Sequence, residues 1–182
     1  QDPGTSLPRA DALAELTAPG QPYELQQVEL YGETVRAFVN APNTLRMMFE
    51  AACSDKTFFV YNKDRYTFEA MFQASARVAT VLVEQYGVTQ GDRVAISMRN
   101  YPEWVMTFCA ATSIGAVAVA MNALWQPEEI EFGLRDSGAK VLLADQERLD
   151  RIEGFRQSMS TQVIAVRPSS ALPEGVALLD DL

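Results

Sequence analysis

Short, continuous apolar runs alternate with longer amphipathic segments through the middle of the chain. The runs begin 22 to 24 residues apart, at Val94, Val117, Val141 and Val163. Each interval leaves room for one helix and two short loops. Continuous apolar runs that alternate with helices are typical of parallel strands covered on both faces. The pattern therefore predicts an α/β fold with a mostly parallel sheet flanked by helices on both faces.

An uncharged window from Trp104 to Pro127 is long enough to cross a membrane. Ser113, Gly115 and Asn122 interrupt it, and small and β-branched residues alternate after Gly115 as they do in a strand. We therefore expect a helix that ends near Ile114, followed by a buried strand, in a soluble protein without a transmembrane segment.

Helix boundaries are also visible in the pattern. Apolar residues spaced by three and four positions predict a long amphipathic helix from Thr67 to about Tyr86, which Gly87 ends. Asn100 and Gln126 each stand just before a helix with proline in its first turn. We expect Asn100 to cap its helix and Gln126 to be the poorer cap.

The first third of the chain differs in kind. Alternation around Gly32 and a turn at residues 62–64 predict two short antiparallel pairs, with a ribbon from Tyr23 to about Asn40 near the N-terminus. Residues 1–22 are interpreted as a flexible tail that begins without methionine, its first six residues as a cloning remnant. Residues 23–182 are expected to form one unit. A proline-rich loop and one short apolar run end the sequence.

Charge limits the classes of partner. The chain has 24 acidic and 15 basic residues and a net charge of −9, and its basic residues are scattered. A nucleic-acid surface needs a basic patch. Docking on anionic lipid has the same requirement. We therefore expect no nucleic-acid partner.

Cysteine and histidine usage limits the chemistry further. Cys53 and Cys109 lie far apart in apolar surroundings, which favours buried free thiols in a reducing compartment over a disulfide. The chain has no histidine, which excludes Ser-His-Asp and Cys-His catalytic sites and zinc sites with histidine ligands. No catalytic, cofactor-binding or metal-binding residue is predicted within the chain.

Three segments in order carry a family resemblance: "RYTFEAM", "GVTQGDRVAISMRNYPEWVMTFCAATSIGAVAVAMNALW" and "EEIEFGLRDSGAKVLLADQERLDRI". They resemble the amino-terminal region of the adenylate-forming (AMP-binding, ANL) ligases, most closely bacterial fatty-acyl-CoA synthetases for long- or medium-chain acids. The resemblance extends from about Phe38 to Val166. It departs from the family pattern near Ala120 and Arg99, where the family usually has proline.

The resemblance implies a cytoplasmic, ATP-dependent fatty-acid:CoA ligase. Such an enzyme activates a fatty acid as acyl-AMP with ATP and Mg²⁺ and then transfers the acyl group to CoA. Similar enzymes bind the ATP phosphates with a Ser/Thr/Gly-rich loop ending in Pro-Lys-Gly and use a late catalytic lysine. Neither feature occurs in these 182 residues. The expectation is therefore an amino-terminal fragment that scaffolds the active site and is inactive alone.

Two alternatives stay open. One is a fragment of a fatty-acyl-AMP ligase that loads a carrier protein. The other is a non-enzymatic binding module of receiver-like α/β fold, although no acidic cluster at a strand end pairs with a lysine in the order expected of it.

Asn122 and Trp125 are the substrate-side candidates, because they follow a predicted strand at its carboxyl end, where open parallel sheets place ligands. A structural interpretation is that Asn122 caps a turn and Trp125 closes the core. Glu128 and Glu129 lie at a helix start, where stabilisation of the helix dipole explains them better than catalysis. For Trp104 a core position is favoured over ligand stacking.

Self-association is expected if part of the apolar surface lacks its cover. The segments expected to be exposed are Trp125, Phe132 and the run from Val176 to Leu179. Because the net charge of −9 opposes association at low salt, the dimer should strengthen as salt screens the repulsion.

Overall fold

The computed structural model describes residues 7–181 and divides into two compact units, with the boundary between Asn43 and Thr44. The proposed cloning remnant lies outside the described residues. The first unit contains helix α1 (Arg9–Leu16), which the sequence analysis did not predict, and the antiparallel strands β1 (Leu25–Leu30) and β2 (Glu33–Phe38). The predicted N-terminal ribbon is thus confirmed.

The second unit begins with helix α2 (Leu45–Ala52) and a hairpin of strands β3 (Thr57–Tyr61) and β4 (Asp64–Thr67). Helix α3 (Phe68–Glu84) follows directly, close to the predicted bounds. The Thr67 hydroxyl accepts a hydrogen bond from the Ala70 amide at 3.0 Å and so fixes the start of α3.

A five-stranded parallel sheet forms the centre of the second unit. Its strands are β5 (Arg93–Ser97), β6 (Val117–Ala120), β7 (Val141–Asp145), β8 (Gln162–Val166) and β9 (Ala177–Leu178), in the spatial order β6-β5-β7-β8-β9. All four predicted runs are strands. The short apolar run near the end of the sequence supplies the fifth.

Helices cover both faces of this sheet, as predicted. Strand residues alternate between the faces. Val94 and Leu143 pack with α3 and with α4 (Pro102–Ser113), whereas Ala95 and Leu142 pack with α5 (Pro127–Ser137) and α6 (Gln146–Ile152). Two apolar clusters therefore lie back to back across the sheet.

Three sequence expectations need correction. Strand β6 follows a helix that ends at Ser113, as predicted, but it is an edge strand rather than a buried one, and Val117 is 49% exposed. Asn100 is not the cap of α4, because Pro102 occupies the first helical position and makes Tyr101 the capping residue. The thiol of Cys53 is free but exposed, since it follows α2, which has no buried residue.

Two other expectations hold. Cys109 is a free, partly buried thiol. Gln126 occupies the N-cap position of α5, where its backbone N–H donates to the Glu129 carboxylate at 2.8 Å, although its expected rank below Asn100 does not hold because Asn100 is not the cap of α4. Among the residues described, no helix is both long enough and apolar enough to cross a membrane.

Candidate functional site

The loops after β5, β6 and β7 meet at the carboxyl edge of the sheet. The chain passes from β5 to β6 on one side through α4 and then returns past β5 to β7 through α5, which lies on the opposite face. The point where the direction of winding reverses lies between the carboxyl ends of β5 and β7. Open α/β sheets tend to bind ligands in the crevice at this point.

An ion pair occupies the position between these strand ends. Asp145, the last residue of β7, accepts a hydrogen bond from the Arg99 amide at 2.9 Å and contacts Arg148 Nη1 at 3.0 Å and 3.1 Å. Asp145 and Arg148 are only 3% and 1% exposed. The carboxylate therefore links the loop after β5 to the start of α6.

Two arginines of α6 hold the loop after β6. The Arg148 guanidinium donates to the carbonyl oxygen of Ala123 through Nε, at 2.9 Å, and through Nη2. Arg151 Nη1 donates to the carbonyls of Trp125 at 2.6 Å and Ala123 at 3.2 Å. Glu147 accepts from both arginines, at 2.9 Å and 2.6 Å. The loop is thus held by cations that contact its backbone rather than its side chains.

The substrate-side candidates lie in this same loop. The Asn122 side chain is exposed, and its Oδ1 accepts from the Leu124 amide at 2.9 Å, which closes a tight turn. Trp125 is partly buried and packs against the α5 side of the core. A Cβ added to Gly133 would lie 2.8 Å from Trp125 Cζ3, so glycine is needed for the ring to lie there. These contacts fit the interpretation that Asn122 caps a turn and Trp125 closes the core. The assignment of both residues to the substrate side stays a prediction.

The neighbouring acidic residues and Trp104 have local structural roles. The Glu129 carboxylate accepts from the Gln126 amide at the start of α5, in keeping with stabilisation of the helix start. Trp104 stacks on Phe108 with ring centroids 5.7 Å apart and packs against the core.

The sequence analysis did not single out Asp145, Arg148, Arg151 or Ser97. Ser97, the last residue of β5, is fully buried, and its hydroxyl has no hydrogen-bond partner among the described residues. The one available signal was the Asp-x-x-Arg spacing directly after an apolar run, which fits a carboxylate at a helix start with a cation one turn later.

Another arginine, Arg167, lies at the same edge, after β8. Arg167 is paired with Glu103 at 2.9 Å and 3.0 Å, and its guanidinium carbon lies 5.0 Å and 5.3 Å from the ring centroids of Tyr61 and Tyr101. The hydrogen bond to Glu103 raises the pKa of Arg167. This cluster ties the β3–β4 hairpin to α4 and β8.

The opposite, amino edge of the sheet contains one strongly perturbed acid. Asp92 accepts from the Thr89 amide at 2.8 Å, from Lys140 Nζ at 3.0 Å and from the Thr89 hydroxyl at 3.0 Å. The Thr89 amide, followed by Lys140, lowers the pKa of Asp92 from 3.8 to about 2. Because this ion pair joins the residues that precede β5 and β7, it serves the sheet rather than the loop site.

The described residues 7–181 contain no group of three or more His, Cys, Asp or Glu side chains arranged to hold a metal ion. The arginines at the carboxyl edge are already engaged by carboxylates and carbonyls. At this edge, therefore, arginine side chains support the loop after β6.

The fold and this edge define an α/β protein with a candidate ligand site at the carboxyl ends of parallel strands. Comparison with known families specifies which α/β family it is. The profile of the family described as "AMP-binding enzyme" matches residues 48–178. The chain belongs to the AMP-binding enzyme family. The resemblance to adenylate-forming ligases is thus confirmed, and the receiver-like interpretation loses its support.

Among curated proteins, the 2-succinylbenzoate–CoA ligase of Geobacillus sp. (strain WCH70) is 34% identical over 134 residues, which are 73% of this chain and 26% of that protein. The long-chain-fatty-acid–CoA ligase FadD13 of Mycobacterium tuberculosis is 40% identical over 79 residues, or 43% and 16% of the two chains. The human long-chain fatty acid transport protein 6 is 26% identical over 126 residues, or 69% and 20%. The chain spans about a quarter or less of the length of these relatives.

Solved structures of CoA ligases share the fold of this chain. The anthranilate CoA ligase AuaEII in complex with anthranoyl-AMP superposes with a TM-score of 0.70 at 27% identity, covering 76% of this chain and 27% of that one. A Mycobacterium tuberculosis fatty acyl CoA synthetase gives a TM-score of 0.53 at 32% identity, covering 57% and 21%. The relatives thus share the fold and differ in the acid that their names specify.

Proposed function

We propose that the chain is part of an ATP-dependent acid:CoA ligase that forms an acyl-adenylate and transfers the acyl group to CoA. The observation that carries the proposal is the family match over residues 48–178, together with relatives that are themselves named CoA ligases. The longer protein would use ATP, Mg²⁺ and CoA.

A fatty acid is the proposed substrate. It is supported by the quoted motifs and by the 40% identity to a long-chain-fatty-acid–CoA ligase, which extends over 79 residues. The longer match, over 134 residues, is to a ligase of 2-succinylbenzoate. A substrate assay should therefore include both aliphatic and aromatic acids.

The chain alone is proposed to be inactive. Attack of a carboxylate on the α-phosphate of ATP develops charge that cations and backbone donors must stabilise. No Ser/Thr/Gly-rich loop ending in Pro-Lys-Gly is present. The contribution proposed for the 182-residue chain is to hold the loop that contains Asn122 and Trp125 on the substrate side.

Pyrophosphate release tests both parts. The 182-residue chain would be incubated with Mg-ATP and, in separate reactions, a fatty acid, 2-succinylbenzoate or coumarate. A protein that extends the same chain through a phosphate-binding loop and a terminal lysine domain would be assayed alongside. We expect turnover only from the extended protein, fastest with the fatty acid. Normal ligase turnover by the isolated chain would refute the proposal that it is inactive alone. Faster turnover with an aromatic acid would refute the proposal that the substrate is a fatty acid.

The acceptor is assayed separately, with CoA and with a phosphopantetheinylated carrier protein. A thioester formed on CoA supports the ligase proposed here. Transfer to the carrier protein alone would identify the acyl-AMP ligase alternative.

Location and self-association also remain proposals. Two unpaired cysteines are compatible with a reducing, cytoplasmic compartment. Phe132 is 68% exposed, whereas Trp125 and the run from Val176 to Leu179 are partly buried. Sedimentation velocity at low and high salt would detect a dimer, which we expect to strengthen with salt.

A further inference from the structure

Strand β6 leaves one side of its backbone without a partner. The amide of Val117 donates to Asp92 at 2.8 Å and that of Met121 to Ile96 at 3.0 Å, so these residues face β5. Because successive residues of a strand face opposite sides, the N–H and C=O groups of Ala118 and Ala120 point away from β5. No strand within residues 7–181 pairs with that side.

A groove of about 490 Å³ runs between this edge and α5. Apolar side chains of β6, of the loop that follows it and of α5 line it, and Phe132 presents 68% of its surface to solvent. Trp125 packs closely over Gly133 and forms part of the groove wall. The groove therefore combines unpaired backbone groups with an apolar floor.

The rim of this groove is acidic. Glu128, Glu129 and Asp136 line it. None of the three forms an ion pair in the part of the chain that the structure describes. Glu129 is used locally at the start of α5, which leaves Glu128 and Asp136 as the carboxylates available to an occupant.

We propose that this groove binds an extended, basic segment of a partner protein, which adds to the sheet as a strand beside β6. Its backbone would pair with Ala118 and Ala120, as in other cases of strand addition. Apolar side chains at alternate positions would enter the groove, and lysine or arginine side chains would meet Glu128 and Asp136. A second copy fits less well, because pairing across a two-fold axis places the same acidic rim on both sides.

Ala120 makes the edge available. It is exposed, and its outward amide has no partner strand within residues 7–181, whereas a proline at this position would have no amide to donate. Proline at sheet edges is one of the ways in which proteins block unwanted pairing. The proposal does not depend on the ligase function.

Binding is tested with the 182-residue chain and a fluorescent octapeptide of alternating lysine and valine, followed by anisotropy. An octapeptide of alternating glutamate and valine is the matched probe. We expect the basic peptide to bind, its affinity to fall as salt is added, and the acidic peptide not to bind. Equal binding of both peptides would overturn the role of charge.

Charge variants locate the site. The double variant Glu128→Lys/Asp136→Lys should weaken the basic peptide at least about fivefold, as the loss of two surface ion pairs would. Its control, Glu84→Lys/Glu174→Lys, makes the same change in net charge outside the groove and should change the affinity less than about twofold. An equal loss in both variants would show only attraction to the overall negative charge and would overturn the site.

Backbone pairing is tested by hydrogen exchange of the wild-type chain, which requires no variant. We expect the peptide to slow exchange at the amides of Ala118 and Ala120. In a separate binding measurement, the variants Ala120→Pro and Phe132→Ala should each bind the peptide more weakly, while their circular dichroism spectra stay the same as that of the wild type. Unchanged exchange at both amides would overturn strand addition. A dimer that Phe132→Ala abolishes, with no peptide binding, would show that a second copy fills the groove instead.

Discussion

Arg148 and Asp145 form a buried ion pair, 3.0 Å apart, at the point where the winding of the parallel sheet reverses. Through the same guanidinium, Arg148 also holds the carbonyl of Ala123. One side chain thereby joins the end of β7 to the loop after β6.

Replacing Arg148 by methionine should lower the free energy of unfolding by about 3–5 kcal/mol, because it leaves the Asp145 carboxylate buried without its cation. Urea unfolding measures the change. Arg46→Ala is the matched control, since Arg46 forms an i,i+4 pair with Glu50 on the surface, and its loss should cost less than about 1 kcal/mol.

The double variant Arg148→Met/Asp145→Asn separates charge from packing. Removing both charges should recover part of the stability that the single variant loses, because replacing a whole buried pair is often close to neutral. No recovery would mean that the lost bonds to Ala123 and to the Arg99 amide dominate the cost.

The parts of the fold that depend on local sequence could be predicted, and the parts that depend on contacts between distant residues could not. The four strands could be predicted because each is a continuous apolar run with its own helix beside it. The edge position of β6 could not, because strand order depends on which strands pair across 20 or more residues. Strand β9 has only two residues and follows a proline-rich loop, too short for any periodicity.

The candidate site shows the same limit. Asn122 and Trp125 could be selected because their position follows from the end of one strand. Apart from the Asp-x-x-Arg spacing, nothing in the sequence predicted that Arg148 is buried, since its segment, "QERLDRI", has the composition of an ordinary polar helix. Its burial depends on a carbonyl 25 residues away in the sequence.

Gly133→Ala should destabilise the chain although alanine favours helices by about 1 kcal/mol. The new methyl would lie 2.8 Å from Trp125 Cζ3 and 3.1 Å from Met121 Cε, and overpacking typically costs about 1–3 kcal/mol. Thermal unfolding and the tryptophan emission spectrum measure the effect. Gly154→Ala is the control, since nothing lies within 4 Å of its added Cβ, and it should leave both measurements unchanged.

Cys53 should react with a thiol reagent before Cys109 does. Cys53 is exposed at the end of α2, and Cys109 is partly buried in α4. Burial is the main cause that raises the pKa of the Cys109 thiol, and the pKa of the Cys53 thiol is raised as well, by burial and then by Glu69 and Glu50. Because thiolate is the reactive form of both, the order of reaction is expected to follow the exposure of the two side chains. Mass spectrometry of each single Cys→Ser variant would assign the two rates. Faster modification of Cys109 would show that α4 opens more readily than α2 frays.

Asp92 should make stability depend on pH in the acid range. Its pKa falls from 3.8 to about 2 in the folded chain, chiefly through the Thr89 amide and then through Lys140. A depressed folded-state pKa means that the unfolded chain binds the proton first. The stabilisation is therefore complete above the ordinary pKa of 3.8 and is lost as the pH falls through about 2.

Asp92→Asn, which cannot ionise, isolates this contribution. The difference in unfolding free energy between the wild type and the variant should be constant above about pH 5 and shrink steadily below about pH 4. Lys140→Met should shift the Asp92 titration, followed by carboxyl NMR, to higher pH without restoring the ordinary value, because the Thr89 amide still donates. A full return to 3.8 in Lys140→Met would show that the ion pair, rather than the amide, holds the carboxylate charged.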